Sequence, residues 1–222
     1  MPHLLRTVLS RRAVAGAAAA LGAIGLAACG EANGASNEAG EATSADNVLG
    51  DPDAPITIIE YASTTCPHCK AFHDDVFPEL KARYIDTGQV KLVFREMPTS
   101  PGPLSAAGMM TAHCAGPDQY FDVLDALFDR QVPLVQAYMS GGDGAREGLL
   151  EIAQAAGLSE AEFEACIRDE AGIERIQAAA DSGRDFGVNT TPSFIIDGEL
   201  LHYTGYPTID DFIRRLDPLL AQ

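Results

Sequence analysis

The chain has 222 residues, of which 46% are hydrophobic and 21% charged, a composition typical of a globular protein rather than a disordered one. Its formal net charge of −17 argues against nucleic acid and against an anionic lipid surface as binding partners. The length is sufficient for one sizeable domain, or for one domain that carries an insertion.

Residues 1–28 are predicted to be an export signal. They contain three arginines and no acidic residue, and residues 13–28 form an apolar stretch. That stretch is too short to span a bilayer comfortably, as expected for a secretory signal. Ser10-Arg11-Arg12 also fits a twin-arginine signal, so general export and twin-arginine export both remain open.

The signal ends in Leu26-Ala27-Ala28-Cys29, which resembles the lipobox of bacterial lipoproteins, whose cysteine is lipidated and becomes the first residue. We favour lipidation of Cys29, and the alternative is ordinary cleavage at small residues with Cys29 incidental. Residues 29–47 contain no aromatic and no basic residue. Because such a segment cannot bury a core, we predict a flexible linker before a domain over residues 48–222.

The first folded elements surround the motif Cys66-Pro67-His68-Cys69. Residues 56–61 form an apolar run that predicts a buried strand, and apolar residues four apart predict a helix over residues 66–86. A strand that runs directly into a helix places Cys66 at the helix N-terminus, where unpaired N–H groups and the helix dipole favour a thiolate. A thiolate attacks disulfides and a thiol does not, so this segment indicates redox chemistry.

The remaining elements alternate between sheet-forming and helical segments. Pro78 is expected to kink the helix that follows the motif, and residues 90–94 predict a second strand. Helical periodicity then continues through an insertion at about residues 103–186, in segments 104–115, 120–131, 146–156, 160–169 and 173–186. Residues 193–201 predict a hairpin with an Asp197-Gly198 turn, and residues 208–220 predict a final amphipathic helix.

Five cysteines are present, and an odd number in an exported protein leaves one to explain. If Cys29 carries lipid, Cys66 and Cys69 make one pair, and Cys114 and Cys166 are free to make a second. That second bridge would join two helices of the insertion. The alternative is that Cys114 and Cys166 are buried free thiols.

The order of elements, together with Cys-Pro-His-Cys and the segment Thr190-Thr191-Pro192-Ser193-Phe194, resembles the thioredoxin fold with a helical insertion. It is most similar to the DsbA-like thiol:disulfide oxidoreductases. The resemblance implies an α/β fold, namely a thioredoxin-like domain with an inserted all-helical subdomain. It implies that Pro192 is the cis-proline of the family and that Glu60 occupies the position of a buried acid. It implies a redox-active disulfide with no metal and no organic cofactor.

Within this interpretation Cys66 is the nucleophile and Cys69 resolves the mixed disulfide. Pro67 and His68 lie between them, and a His68 ring or charge directed at the Cys66 sulfur would stabilise the thiolate further. The alternatives are a structural disulfide or half of a zinc site. His73 is the nearby extra ligand candidate, although the sequence has no second Cys-x-x-Cys.

Two further residues have roles that the resemblance implies. A cis-proline at Pro192 would place the Thr191 backbone against Cys66 and offer an edge on which a substrate peptide can pair. For Glu60 two interpretations remain open. It is either a strand-end carboxylate that faces water or a buried acid that relays a proton to Cys69.

The sequence therefore predicts an exported oxidase of protein thiols, which donates its Cys66–Cys69 disulfide to reduced or unfolded secreted proteins through a mixed disulfide on Cys66. The resemblance implies a membrane redox partner of the DsbB type. We expect a monomer in the periplasm or cell envelope, held at the membrane if Cys29 is lipidated. The alternatives are a reductase or isomerase with the same site, and a tethered peptide-binding (holdase) module whose disulfide is structural.

Overall fold

A computed structural model describes residues 40–44 and 46–222 of the chain. Within these residues the centre of the fold is a five-stranded sheet in the order β1-β3-β2-β4-β5. The strands are β1 Val48–Leu49, β2 Ile56–Ala62, β3 Val90–Glu96, β4 Ser193–Ile196 and β5 Glu199–Leu200. β2 and β3 are parallel, and the other neighbours are antiparallel. The predicted export signal and Cys29 lie outside the described residues.

Nine α-helices lie in this part of the chain: α1 Pro67–Asp75, α2 Phe77–Leu80, α3 Gly102–Cys114, α4 Tyr120–Asp129, α5 Gln131–Ser140, α6 Gly144–Ala155, α7 Glu160–Cys166, α8 Glu170–Phe186 and α9 Ile209–Leu220. Helices α3 to α8 lie between β3 and β4 and form the inserted helical subdomain. The architecture is the thioredoxin-like α/β fold with a helical insertion, as the sequence predicts. Among the described helices, none has both the length and the apolar character needed to cross a membrane.

The two central strands are buried along most of their length. In β2 all residues except Thr57 are buried, which explains why the sequence shows a continuous apolar run rather than an alternating one. Glu60 interrupts that run, and it lies between Phe94 of β3 and Phe194 of β4 in the register of the sheet. A carboxyl group is thus placed in the middle of a buried sheet, where it needs a hydrogen-bonding partner.

The segment after the cysteine motif is not one continuous helix. Helix α1 ends at Asp75, Val76 separates the two helices with a φ of −114°, and α2 begins at Phe77. Pro78 lies in the first turn of α2, where its missing N–H is tolerated. The helix predicted over residues 66–86 is therefore interrupted two residues before Pro78. It ends in a π-helical turn, Lys81–Ile85, that the apolar spacing did not predict.

The inserted subdomain contains one helix that the sequence analysis did not predict. The helix predicted over residues 120–131 ends at Asp129, and α5 begins at Gln131. Helix α5 lacks a clear apolar stripe because it leaves Val132, Tyr138 and Met139 exposed, so periodicity gives a weak signal there.

A disulfide joins Cys114, at the end of α3, to Cys166, at the end of α7. This is the pairing that the cysteine count left available, and the alternative of two free thiols is wrong for this structure. A capping box starts α7, because Ser159 and Glu162 exchange hydrogen bonds. The core of the subdomain continues to the cysteine motif, since Cys66 and Cys69 pack in the same buried cluster as Leu104 and Phe128.

The last elements are the hairpin and helix that the sequence predicts. Asp197 and Gly198 connect β4 to β5 with positive φ angles of 51° and 77°, which suits an Asp-Gly turn. Helix α9 buries Phe212 and Leu216 completely, against the same cluster as Phe194 of β4.

The predicted flexible linker does not extend free of the domain to residue 47. The buried Arg95 guanidinium donates hydrogen bonds to the Asp46 carboxylate and to the Glu41 carbonyl oxygen. Val48–Leu49 then pairs with β3. The prediction of a linker over residues 29–47 is thus wrong at its C-terminal end, because a buried cation in β3 needs acceptors and this segment supplies them.

Candidate active site

Cys66 is the N-cap residue of α1, at the point where the chain leaves β2 and enters the helix. Its backbone is extended, with φ −81° and ψ 120°, and Pro67 starts the helix without needing an N–H partner. The Cys66 side chain lies almost buried, with 7% relative exposure for the residue. The sulfur is therefore near the positive end of the helix with a narrow opening to solvent.

The surroundings of Cys66 lower the pKa of its thiol from 9.0 to about 5. The main cause is a hydrogen bond from the Cys69 thiol to the Cys66 sulfur, and burial opposes this effect. The Thr191 side chain and the backbone N–H groups of Cys69 and His68 lower the pKa further. Cys66 is thus a thiolate at neutral pH, which is the form that attacks disulfides.

Cys69 has the opposite character. It is completely buried, and burial raises the pKa of its thiol far above the ordinary value. Its hydrogen bond to Cys66 and the negative charges of Cys66 and Glu60 raise the pKa further, while the Ser63 N–H, 3.5 Å from the sulfur, acts in the other direction. Both cysteines are free thiols in this structure, so the site is in its reduced form. One thiol carries the charge and the other keeps its proton.

The opposite wall of the site is the loop that contains Thr191 and Pro192. The Thr191–Pro192 peptide bond is cis, as the resemblance implies. The Thr191 carbonyl oxygen lies 3.4 Å from the Cys66 sulfur, although 125 residues separate the two in the chain. The Tyr203 hydroxyl donates a hydrogen bond to the Pro192 carbonyl oxygen and holds the loop from the side of the hairpin.

His68 acts on Cys66 through its backbone. Its side chain is exposed, and its ring lies edge-on to Tyr206 with 6.5 Å between the ring centroids. The contribution of His68 to the low pKa of Cys66 comes from the backbone N–H. The expectation that the His68 ring or charge faces the sulfur is therefore not supported by a contact in this structure.

Glu60 is fully buried, so the water-facing alternative is wrong. Strands β3 and β4 flank it on both sides in the sheet. Its two carboxylate oxygens are each 3.2 Å from His73 Nε2. Its negative charge raises the pKa of the Cys69 thiol, so the Glu60 carboxylate acts electrostatically on Cys69.

Two residues around the site make contacts that the sequence analysis did not predict. The buried Gln131 amide donates to the carbonyl oxygens of Thr64 and Cys66, both at 3.0 Å, and so ties α5 to the turn that precedes α1. Nothing in the sequence indicated this contact. His73 was considered only as a zinc ligand, but its position four residues after Cys69 in α1 places both on one face of the helix.

The structure gives no support to the zinc alternative in the part of the chain that it describes. There, no group of three or more His, Cys, Asp or Glu side chains is arranged to hold a metal ion. His73 presents Nε2 to Glu60 rather than to the cysteines.

Comparisons with known proteins agree with this geometry. The family model described as Thioredoxin matches residues 42–217. A Rickettsia conorii protein provisionally named a protein-disulfide oxidoreductase is 31% identical over 182 residues, which cover 80% of this chain and 61% of that protein. Disulfide bond formation protein D of Bacillus subtilis is 26% identical over 173 residues, covering 76% of this chain and 75% of that protein.

A solved structure is similar over most of the fold. The crystal structure of Wolbachia pipientis alpha-DsbA1 superposes with a TM-score of 0.71 and 30% identity, covering 84% of this chain and 96% of that chain. The chain spans about three fifths of the length of the Rickettsia relative, 61%. The family match extends across the sheet, the cysteine motif and the insertion. The chain therefore belongs to the DsbA-like thiol:disulfide oxidoreductases of the thioredoxin family.

Proposed function

We propose that this protein is an exported oxidase of protein thiols, which transfers its Cys66–Cys69 disulfide to reduced or unfolded secreted proteins. The observation that carries the proposal is the contrast between the two cysteines. The pKa of Cys66 is lowered to about 5, and the pKa of Cys69 is raised by burial. A stabilised thiolate is a good leaving group and favours the reduced enzyme, so the disulfide form acts as an oxidant.

The proposed reaction has two exchange steps. A substrate thiolate attacks the Cys66 sulfur, the Cys66–Cys69 bond breaks, and Cys69 leaves with the bonding pair and takes up a proton. A second substrate thiolate then attacks the substrate sulfur of the mixed disulfide, and Cys66 leaves as a thiolate. The substrate loses two electrons and gains a disulfide, while the enzyme ends with one thiolate and one thiol.

The substrate is proposed to bind along the loop of Thr191 and Pro192. The Thr191 backbone lies against the Cys66 sulfur, and the proline has no N–H of its own to satisfy. An extended substrate segment can pair with this edge while its cysteine approaches Cys66. Pro67 and His68, between the two cysteines, are exposed and so accessible to a substrate.

Oxidation of a reduced peptide with two cysteines tests the catalytic assignment. Cys66→Ser should abolish the reaction, and Cys69→Ser should accumulate a mixed disulfide on Cys66 when it meets a disulfide-bonded peptide. The matched control is the pair Cys114→Ser and Cys166→Ser, which removes a disulfide without touching the site. Unchanged peptide oxidation by Cys66→Ser would favour the alternative of a peptide-binding module with a structural disulfide.

Export and membrane tethering are proposed from the N-terminal sequence pattern. The Cys114–Cys166 bridge supports export, because stable disulfides form in oxidising compartments. The intact mass of protein purified from membranes should include acyl chains on Cys29. A soluble mature protein that begins at another residue would contradict the lipid anchor.

A membrane partner of the DsbB type is proposed to reoxidise the enzyme, on the basis of the family. The reduced protein should be reoxidised faster by membranes of its source than by oxygen alone. This acceleration should require a quinone acceptor. Equal rates with and without membranes would contradict the partner.

A further inference from the structure

His73 is a buried histidine that the exchange steps leave unused. It lies in the last turn of α1, and its side chain is 8% exposed. Nε2 is 3.2 Å from both oxygens of Glu60, whose side chain is fully buried. Nδ1 is also buried and has no hydrogen-bond partner among the described residues. A buried polar atom without a partner is unusual and calls for a functional explanation.

Aromatic neighbours fix the orientation of the His73 ring. It stacks on Phe128 of α4 with 4.1 Å between centroids and 23° between the ring planes. Phe77 lies 4.8 Å away and Phe72 lies 5.4 Å away, at steeper angles. Because the ring is held on several sides, its two nitrogens keep different surroundings: Nε2 faces the buried acid and Nδ1 does not.

His73 also lines a cavity of about 290 Å³ that reaches the surface. Lys81, one of the lining residues, has a side chain that is 40% exposed, so water has access to this space. The charged groups around His73 come from every neighbouring element: Glu60 from β2, Asp74 from α1, Lys81 from the π-helical turn, and Asp125 and Asp129 from α4. Four carboxyl groups and one ammonium group therefore surround the ring.

We infer that His73 is a positioning residue, which holds Glu60 close to Cys69 and carries protons between Glu60 and the surface cavity. The inference rests on the exchange chemistry proposed above. It supplies a route to solvent for a proton that would otherwise be enclosed, because Cys69 and Glu60 are both fully buried.

The proton transfers balance in both directions. When the disulfide opens, Cys69 leaves as a thiolate and takes a proton from Glu60. Glu60 takes a proton from His73 Nε2, and the His73 ring takes one from water in the cavity that the residue lines. When the enzyme is reoxidised, the proton of Cys69 returns along the same groups to the cavity, and the membrane acceptor receives the two electrons.

Three variants separate a proton-transfer role from a packing role. His73→Phe keeps the aromatic packing and removes both nitrogens, whereas His73→Ala opens a space that imidazole can fill. The control is His113→Gln, which removes the ring of a second His–Glu pair, that of His113 with Glu96. Single-turnover oxidation of a reduced two-cysteine peptide is measured from about pH 5 to pH 8, where a histidine titrates. Thermal stability is recorded for each variant.

The expected result is that His73→Phe is slower by on the order of tenfold or more, the low end of what a positioned proton-transfer group contributes. Its pH profile should differ from that of the wild type, and His113→Gln should retain the wild-type profile. Added imidazole should accelerate His73→Ala but not His73→Phe. A His73→Phe variant with the rate and pH profile of the wild type would overturn this inference alone. A wild-type protein that does not oxidise the peptide would overturn the proposed function as well.

Discussion

The hydrogen bond from the Cys69 thiol to the Cys66 sulfur can be tested by substituting Cys69, with one variant that lacks a donor and one that keeps a donor. It is the largest of the effects that lower the Cys66 pKa to about 5. A hydrogen bond to a charged group contributes about 1.5–3 kcal/mol, which corresponds to a pKa change of about 1–2. Cys69→Ala should therefore raise the Cys66 pKa to about 6–7, whereas Cys69→Ser keeps a donor and should leave it near the wild-type value.

The measurement is the rate at which iodoacetamide alkylates Cys66 as a function of pH. Mass spectrometry of the Cys66 peptide assigns the modification to this residue, and the ultraviolet absorbance of the thiolate gives an independent titration. The reasoning is refuted if the Ala and Ser variants titrate together. It is also refuted if the wild-type Cys66 titrates near the ordinary value of 9.0.

Three further predictions concern stability and geometry. Because the Cys66 pKa is depressed on folding from 9.0 to about 5, ionisation stabilises the folded reduced form by about 3 kcal/mol at pH 7. This gain shrinks as the pH falls below 7 and is lost by about pH 5. Denaturant unfolding of the reduced and oxidised forms at pH 7 and pH 5 should show it, and a difference that does not depend on pH would contradict it. Gln131→Ala leaves two buried carbonyl oxygens without their donor, so it should lower the unfolding free energy by about 1–3 kcal/mol. The control is Gln136→Ala, at an exposed position of the same helix. Equal Tm values for the two variants would refute this role of Gln131. Cys114 and Cys166 are 52 residues apart in the chain. Replacing both by Ser should lower the free energy of unfolding by about 4 kcal/mol through loop-closure entropy, while peptide oxidation is retained. Loss of oxidation in a folded variant would contradict this and show that the bridge supports the site as well.

Local patterns in the sequence were sufficient to predict the strand and the helix that position Cys66. An apolar run followed at once by helical spacing specifies a buried strand and then a helix, and this places Cys66 at the helix N-terminus. The Asp197-Gly198 turn and the Ser159–Glu162 capping box are likewise determined by residues that lie close together in the sequence. Each of these features depends on contacts within a few residues, which is the range that periodicity and turn chemistry report.

Contacts between distant segments were not predictable in the same way. Gln131 reaches the carbonyl oxygens of the cysteine turn from a helix with no clear apolar stripe. Arg95 is buried in β3 and orders a segment that its composition marks as a linker, because Asp46 supplies the acceptor. Such pairs depend on which elements the fold brings together, and a single sequence carries no direct signal of that.

The environment of Glu60 was only half determined by the sequence. The family resemblance implied a buried acid at this position, whereas the sequence itself left open whether the carboxyl group faces water or relays a proton to Cys69. The partner that allows a carboxyl group to be buried is His73, which lies on the facing helix, 13 residues further along the chain. The sequence placed this histidine on the same helical face as Cys69 without indicating that its nitrogen faces the strand.

The reduction potential of the Cys66–Cys69 pair tests the central claim most directly. It is obtained by equilibrating the protein with glutathione redox buffers and quantifying the oxidised and reduced forms. The Cys66 pKa of about 5 lies between those of the DsbA nucleophile, about 3.5, and the thioredoxin nucleophile, about 7. The account therefore predicts a potential well above that of thioredoxin and towards that of DsbA, about −120 mV. A value near that of thioredoxin, about −270 mV, would contradict the account and assign the protein to the reductases.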